Sequence, residues 1–213
     1  MSVAENLKSV RERIARTGRD PDEIAIVAVT KGFGPEVCRE AIDAGLKRLG
    51  ENRVQEALAK MDHVIGAEWH LIGHLQTNKV RPAANRFALI QSLDSTHLAD
   101  AIARINVEQK VLVEVNVARE GQKTGVAPEQ AAELIDNVAE RLDLQGLMAM
   151  GPSQGDPKRA FRELLNIRDA AEQRLGKALP ILSMGMSADF EVAVAAGSTM
   201  LRLGQVLFGP RPR

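Results

Sequence analysis

Aromatic residues are scarce in this chain. Its 213 residues include five phenylalanines, one tryptophan and no tyrosine. No phenolic hydroxyl can therefore serve as a proton donor or acceptor in a reaction. Only one cysteine, Cys38, is present, which excludes an internal disulfide and fits a reducing compartment such as the cytoplasm.

Long apolar runs and an excess of charge are also absent. No apolar run approaches the roughly 20 residues that span a bilayer, and the first residues lack the apolar segment of a secretory signal. The 28 basic residues balance 28 acidic residues, which gives no electrostatic reason to expect nucleic acid or a membrane as a partner. No linker or change in composition divides the chain, so we expect a single domain over residues 1–213.

Strands and helices are predicted to alternate after an N-terminal helix over residues 2–17. Alternation with short connections favours a parallel sheet, and eight such units favour a closed (β/α)8 TIM barrel, an α/β fold, with one extra N-terminal helix. A doubly wound open sheet is the alternative, but no GxGxxG motif follows the first strand as a dinucleotide-binding version would require. Asn52 is expected to cap the helix after the second strand. The predicted strands cover residues 24–29, 46–49, 68–72, 87–93, 110–117, 144–150, 179–184 and 199–203.

A lysine follows closely on the first predicted strand. Six consecutive apolar residues, 24–29, are typical of a strand buried on both faces, and Lys31 then precedes Gly-Phe-Gly. In one interpretation, Lys31 only extends its ammonium group from the edge of the core into water. In the other, partial burial favours the neutral amine, which can attack a carbonyl group.

Two turns near the end of the chain have the composition of a phosphate site. In parallel barrels, phosphate commonly binds the loops after strands seven and eight. Residues 183–187 (SMGMS) follow the seventh predicted strand and lead towards a helix, where a hydroxyl and free N–H groups could bind an anion. Arg202 lies near the end of the eighth predicted strand, and Gly204 and Gln205 come directly after it. Gly204 would allow the backbone to approach a ligand closely. Each turn alone could be an ordinary βα connection.

A lysine amine and two phosphate-binding turns at one barrel mouth suit an aldehyde that carries a phosphate. Pyridoxal 5′-phosphate (PLP) has this chemistry, because its aldehyde can form a Schiff base with lysine while loop amides hold its phosphate. No group of His, Cys, Asp and Glu residues has metal-ligand spacing, so we expect no metal site.

Seven stretches over nearly the whole chain form a specific series. They are residues 27–31, GENRVQE at 50–56, EWHLIGHLQTNK at 68–79, NVAREGQKTG at 116–125, GLM at 146–148, LSMGMSAD at 182–189 and GSTMLRLGQVLFGPR at 197–211. This series resembles the pyridoxal phosphate homeostasis family, relatives of the alanine racemase barrel. The chain departs from the usual family pattern at Thr30, where serine is common, and at residues 32–34, where a threonine-lysine pair is common.

The resemblance implies a set of cofactor-binding residues and no catalytic ones. Lys31 would carry the Schiff base, and Asn52 would lie near the ring. Ser187 and the backbone N–H groups of Gly204 and Gln205 would hold the phosphate. The arginine would face the pyridine nitrogen, and because arginine stays cationic, that nitrogen would stay unprotonated and the ring would be a poorer electron sink. The set is Lys31, Asn52, Ser187, Arg202, Gly204 and Gln205.

Three functions are compatible with these residues. The first is a cytoplasmic, monomeric protein that stores, buffers or delivers PLP without turnover, with PLP-free enzymes as recipients. The second is a PLP-dependent amino-acid racemase or related enzyme, which would need a second proton-transferring group. Racemase relatives use a tyrosine from the partner subunit, and this chain offers only Cys38, His70 and His74 as substitutes. The third is a barrel that uses its phosphate site for another metabolite.

Overall fold

Eight parallel strands form a closed barrel in the computed structural model, which describes residues 2–105 and 107–210. The strands are β1 (Ala25–Val29), β2 (Arg48–Glu51), β3 (Glu68–Leu71), β4 (Leu89–Leu93), β5 (Lys110–Glu114), β6 (Asp143–Met148), β7 (Ile181–Ser183) and β8 (Met200–Leu203). Each strand pairs with the next one along the chain, and β8 pairs with β1, so that Ala28 lies opposite Leu203. The predicted (β/α)8 barrel is confirmed.

Helices connect the strands, one further helix precedes the barrel and a short one follows the last strand. Within the described residues they are α1 (Val3–Arg16), α2 (Pro35–Asp43), α3 (Val54–Met61), α4 (Val80–Ala83), α5 (Thr96–Ala103), α6 (Ala131–Ala139), α7 (Pro157–Leu175), α8 (Phe190–Ala195) and α9 (Gln205–Phe208). A capping box starts α1, since the Ser2 hydroxyl accepts from the Glu5 N–H and the Glu5 carboxylate accepts from the Ser2 N–H. This confirms the predicted N-terminal helix.

The observed strand ends differ from the predicted ones by up to three residues, and β2 and β5 show that pairing, not local pattern, sets these ends. β2 begins at Arg48, two residues later than predicted, where the register places it opposite Val27 of β1. β5 ends at Glu114, three residues earlier than predicted. Beyond it the backbone pairs with its own loop, and the Asn116 N–H donates to the Val126 carbonyl at 2.9 Å.

Side chains alternate between two separate cores along the strands. One set packs inside the barrel and consists of Val27, Leu89, Leu112, Met148 and Met200. The residues that alternate with these pack outwards, in the larger core that includes side chains of the surrounding helices. This period of two fixes which residues can reach the open end of the barrel.

None of the helices within residues 2–105 and 107–210 is both long enough and apolar enough to cross a membrane. The barrel is closed by the first and last strands of the chain, which supports our proposal that the chain forms a single domain. Arg211, the last residue of the seventh sequence stretch, lies outside the described residues.

Candidate functional site

The inward-facing positions of β1 and β8 continue into the carboxyl-terminal mouth of the barrel. Val27 packs inside the barrel, Val29 borders the mouth, and Lys31, just beyond the end of β1, also lines the mouth. Lys31 lies in the turn after β1 and is half-buried. In β8, Met200 packs inside and Arg202 follows it on the same face, at the mouth.

Asn52 reaches the mouth from β2 and does not cap a helix. The residue at the cap position of α3 is Arg53, which makes no side-chain capping bond, so the predicted capping role of Asn52 is wrong. The chain at Gly73, after β3, packs directly on Asn52. A Cβ atom at Gly73 would lie 2.5 Å from the Asn52 carbonyl oxygen, so glycine is required for this close approach.

A cavity of about 620 Å³ opens at this mouth, a size typical of small-molecule sites. Its wall is formed by residues at or after the ends of β1, β2, β3, β5, β6 and β7, together with β8 and the residues that follow it. All six residues predicted to bind the cofactor line it, namely Lys31, Asn52, Ser187, Arg202, Gly204 and Gln205.

The Arg202 guanidinium is buried and is held by backbone carbonyls. Nη1 donates to the Ser183 carbonyl at 2.8 Å and to the Ser183 hydroxyl at 2.7 Å, and Nη2 donates to the Ala149 carbonyl at 2.8 Å. Burial lowers the pKa of Arg202 to about 10, although Glu114 and Asp189 act in the opposite direction. Because these bonds engage at most three of the five N–H groups, the guanidinium keeps donor capacity on the cavity wall.

A buried polar chain links Arg202 to the opposite side of the barrel interior. The Ser183 hydroxyl donates to Gln91 Oε1 at 2.7 Å, and Gln91 Nε2 lies 2.9 Å from His70 Nδ1. An amide nitrogen only donates, so His70 Nδ1 accepts this bond and carries no proton. Burial, together with the positive charge of Arg48, lowers the pKa of His70 to about 4. His70 is thus a neutral histidine within the barrel, and the cavity lining does not include it.

The two turns predicted to bind an anion are in direct contact. The Ser187 hydroxyl accepts from the Val206 N–H in the first turn of α9 at 3.2 Å. The loop after β7 is instead held by Asp189, whose Oδ1 accepts from the Met186 N–H at 2.7 Å. Ser187 and the first residues of α9 therefore form one polar wall of the cavity.

Gly204 packs closely on the first strand. A Cβ atom at this position would lie 3.3 Å from the Val29 carbonyl oxygen and 3.4 Å from the Val29 Cβ. Gly204 was expected from the sequence to allow close contact with a ligand, and its contact with β1 is a second reason for a glycine here. It joins the start of α9 to the strand that leads to Lys31.

The donor set of the cavity fits a phosphorylated aldehyde of the pyridoxal type. The wall supplies one primary amine, one guanidinium with donor capacity, and a hydroxyl and backbone N–H groups at the start of α9. The amine can condense with an aldehyde, and the hydroxyl and N–H groups can bind a phosphate. Apolar side chains that also line the cavity, among them Val29, Ile72 and Met186, can contact a ring.

Other polar residues at the mouth have partners within the protein. His74 lines the cavity, and its Nδ1 lies 3.1 Å from Asp94 Oδ2. Lys123, in the loop after β5, is half-buried. Its Nζ donates to the Gly151 carbonyl at 2.7 Å and pairs with Glu120 at 3.1 Å.

Two groups of buried polar residues were not predicted from the sequence. Gln91 lies in a strand predicted from its apolar neighbours, and its inward position was not considered. Lys60 forms an ion pair with Glu56 on the same helix. The spacing of four residues, and the position of Lys60 three residues after buried Ala57, could have indicated this contact.

Comparisons with known proteins agree with this geometry. The sequence model of the family described as alanine racemase, N-terminal domain, matches residues 2–212. The chain is 43% identical over 226 residues to a protein of Aquifex aeolicus (strain VF5) named pyridoxal phosphate homeostasis protein, and the match covers 99% of both chains.

Two solved structures have similar folds. PipY of Synechococcus elongatus PCC7942, solved with PLP bound, has a TM-score of 0.85 and 31% identity, covering 98% of this chain and 100% of that one. An alanine racemase of Clostridium difficile 630 has a TM-score of 0.79 at 17% identity, covering 98% of this chain but 58% of that one. The second likeness concerns the barrel fold alone.

The neutral state of His70 predicts a pH dependence of folding stability. Its pKa is about 4 in the folded protein and 6.5 in the reference state, so the unfolded chain binds more protons between these values. The stabilising contribution is complete above pH 6.5 and is lost as the pH falls towards 4, by roughly 3 kcal/mol. Urea unfolding of the wild type and of His70→Gln, measured at several pH values, should show a smaller loss for the variant over this range.

The glutamine in this variant can still accept a hydrogen bond from Gln91, and the difference between the two proteins removes the contribution of carboxylates common to both. Equal pH dependence of the two unfolding free energies, or an NMR titration of His70 centred near 6.5, would contradict the burial of a neutral imidazole.

Proposed function

The chain belongs to the alanine racemase N-terminal domain family and, within it, to the pyridoxal phosphate homeostasis proteins, and from this premise we propose that it binds PLP at the barrel mouth. PLP is held through a Schiff base with Lys31, and the protein stores, buffers or delivers the cofactor without turnover. The cytoplasmic and monomeric state expected from the sequence is part of this proposal, as are PLP-free enzymes as recipients.

One observation carries the proposal. The six residues that the family resemblance implies for PLP all line a single cavity, although they come from opposite ends of the sequence. Two of the segments, the turn with Lys31 and the start of α9, are adjacent because β1 and β8 pair.

Each residue has a separate task in this proposal. The Lys31 amine condenses with the aldehyde of PLP, forming a carbon–nitrogen double bond and releasing water. Ser187 and the backbone N–H groups of Gly204 and Gln205 bind the phosphate. Asn52 lies beside the ring and orients it.

Arg202 favours binding over catalysis. Bound PLP supplies an electron sink, which is strongest when the ring nitrogen is protonated. The Arg202 guanidinium has no proton-accepting atom, so a ring nitrogen that faces it accepts a hydrogen bond and stays unprotonated. The absence of tyrosine from the sequence removes the second proton-transferring group that racemase relatives use.

Lys31→Ala tests the attachment. The wild type mixed with PLP should develop the visible absorbance of a Schiff base, and borohydride should bleach it. Lys31→Ala should lose this band because it lacks the amine. Lys110→Ala, which removes an exposed lysine at the opposite end of the barrel, is the matched control and should keep it. A band of wild-type intensity in Lys31→Ala would rule out the attachment.

A second candidate function is amino-acid racemisation, which the His74–Asp94 pair favours. His74 lines the cavity, and its contact with a carboxylate at 3.1 Å is the arrangement of an oriented general base. In this alternative, Lys31 and His74 would move the α-proton of a bound amino acid.

Exchange of the α-proton in deuterated solvent separates the two functions. With the PLP-loaded wild type, storage or delivery predicts no exchange above that of free PLP for any amino acid tested. Exchange that disappears in Lys31→Ala and falls by about 100-fold or more in His74→Asn would instead support the racemase.

A further inference from the structure

A buried ionic cluster lies behind the turn that carries Lys31. We call it the Lys60 cluster, and it consists of Thr30, Glu51, Glu56 and Lys60. Lys60 Nζ, on α3, donates to Glu51 Oε1 at 2.7 Å, to Glu56 Oε1 at 2.8 Å and to the Thr30 carbonyl at 3.0 Å. One ammonium group therefore joins β2, α3 and the segment after β1.

The Lys60 cluster holds both chain neighbours of Lys31. On one side, the Thr30 hydroxyl donates to Glu51 Oε1 at 2.6 Å, in addition to the bond between the Thr30 carbonyl and Lys60. On the other side, the Gly32 N–H donates to Glu56 Oε1 at 2.6 Å. Lys31 is thus the residue between two anchored backbone positions.

On each side of Lys31, the carboxylate oxygen that accepts the anchoring bond also accepts a bond from Lys60. Glu51 Oε1 accepts from both Thr30 and Lys60, and Glu56 Oε1 accepts from both Gly32 and Lys60. A shift of the Lys60 ammonium group would therefore disturb the bonds to Thr30 and to Gly32 together. This makes the anchoring of the turn a property of the whole cluster.

Burial makes this arrangement costly for folding alone. The Glu51 side chain is fully buried and that of Lys60 is 7% exposed. Desolvation opposes the charged form of Lys60, but the carboxylates of Glu51 and Glu56 outweigh it and raise the pKa of Lys60. Desolvation raises the pKa of Glu51, and its Oε2 has no partner within the described residues. Apolar residues of similar volume often replace buried ion pairs without loss of stability, so stability alone is a weak reason for such a cluster.

We propose that Glu51, Glu56 and Lys60 are positioning residues for Lys31, which fix the backbone on both sides of it and so direct its amine into the cavity. This inference rests on the proposed function, because it concerns the amine that the proposal joins to PLP. Rigid placement matters for a condensation, since a misplacement of about 1 Å can lower a rate by about 100-fold.

Glu56 provides the sharpest test, because its side chain is partly exposed, at 29%, and can be changed without opening the core. Glu56→Ala removes the acceptor of the Gly32 N–H, whereas Glu56→Gln keeps a neutral oxygen at the same distance along the side chain. Lys60→Met removes the shared ammonium group and keeps a long side chain.

Gln109→Leu is the matched control for lost stability. Gln109 is 2% exposed, and its Nε2 donates to the carbonyls of Phe87 and Lys110 at 3.0 and 3.1 Å. It is thus a buried polar side chain that ties backbone segments together at the opposite end of the barrel. Its loss should lower the urea midpoint without moving Lys31.

The experiment measures amide hydrogen exchange of Gly32 by NMR in the PLP-free protein, the rate at which Schiff-base absorbance appears after PLP is added, and the urea midpoint. We expect Glu56→Ala and Lys60→Met to speed Gly32 exchange by about tenfold or more, which corresponds to about 1.4 kcal/mol. Schiff-base formation should slow by about 10- to 100-fold. Glu56→Gln should bring the Gly32 exchange rate and the rate of Schiff-base formation most of the way back to the wild-type values, and Gln109→Leu should change neither rate.

The outcomes separate this inference from the proposed function. A wild type without Schiff-base absorbance overturns the proposed function. In that case, faster Gly32 exchange in Glu56→Ala than in the wild type would still support the anchoring of the turn, and unchanged exchange would overturn it. A wild type that forms the band, with unchanged exchange and rate in Glu56→Ala, overturns the positioning role. The positioning role is also overturned if the changes in Gly32 exchange and in the rate of Schiff-base formation follow the urea midpoint in all variants, including Gln109→Leu. If Lys60→Met does not fold, the Glu56→Ala and Glu56→Gln pair decides.

Discussion

Hydrogen bonding between β1 and β8 is the interaction on which the whole site depends. It closes the barrel and places residues from opposite ends of the sequence side by side. The turn with Lys31 follows β1, and Gly204 follows β8, so the amine and the start of α9 are neighbours by construction. The close approach of Gly204 to Val29 shows how tightly this join is packed. A single molecule with an aldehyde at one end and a phosphate at the other suits such a pair of neighbours.

The barrel interior contributes a second constraint, because its polar residues are connected and not isolated. Arg202, Ser183, Gln91 and His70 form one chain of hydrogen bonds across the interior. A buried guanidinium is costly unless it has good acceptors, and the carbonyls of Ser183 and Ala149 supply them. This fixes a cation at the cavity wall, where, in the proposed function, it would favour an unprotonated ring nitrogen. The same feature that stabilises the interior would then bias the site away from electron-withdrawing catalysis.

Sequence reasoning found the parts of the site that follow from the chain's own periodicity. The barrel, Lys31 and Arg202 were predicted, since strand patterns place them at strand ends where ligands bind. It misjudged features that depend on contacts between distant segments. The family resemblance led us to expect Asn52 at the cavity, which it lines, but the capping role expected from its place before a helix is wrong, because Arg53 holds the cap position. The contact between the Ser187 hydroxyl and the Val206 N–H of α9 was not foreseen, because the sequence places Ser187 directly before α8. The Lys60 cluster was missed because its bonds join three separate elements.

The most direct test of the account is the location of the covalent attachment. The protein is mixed with PLP, reduced with borohydride, digested and analysed by tandem mass spectrometry. The account predicts that the pyridoxyl-phosphate adduct lies on the peptide containing Lys31 and on that lysine alone. An adduct on Lys79, Lys123 or other lysines, with Lys31 unmodified, would contradict the central claim that the mouth formed by β1 and β8 is the PLP site.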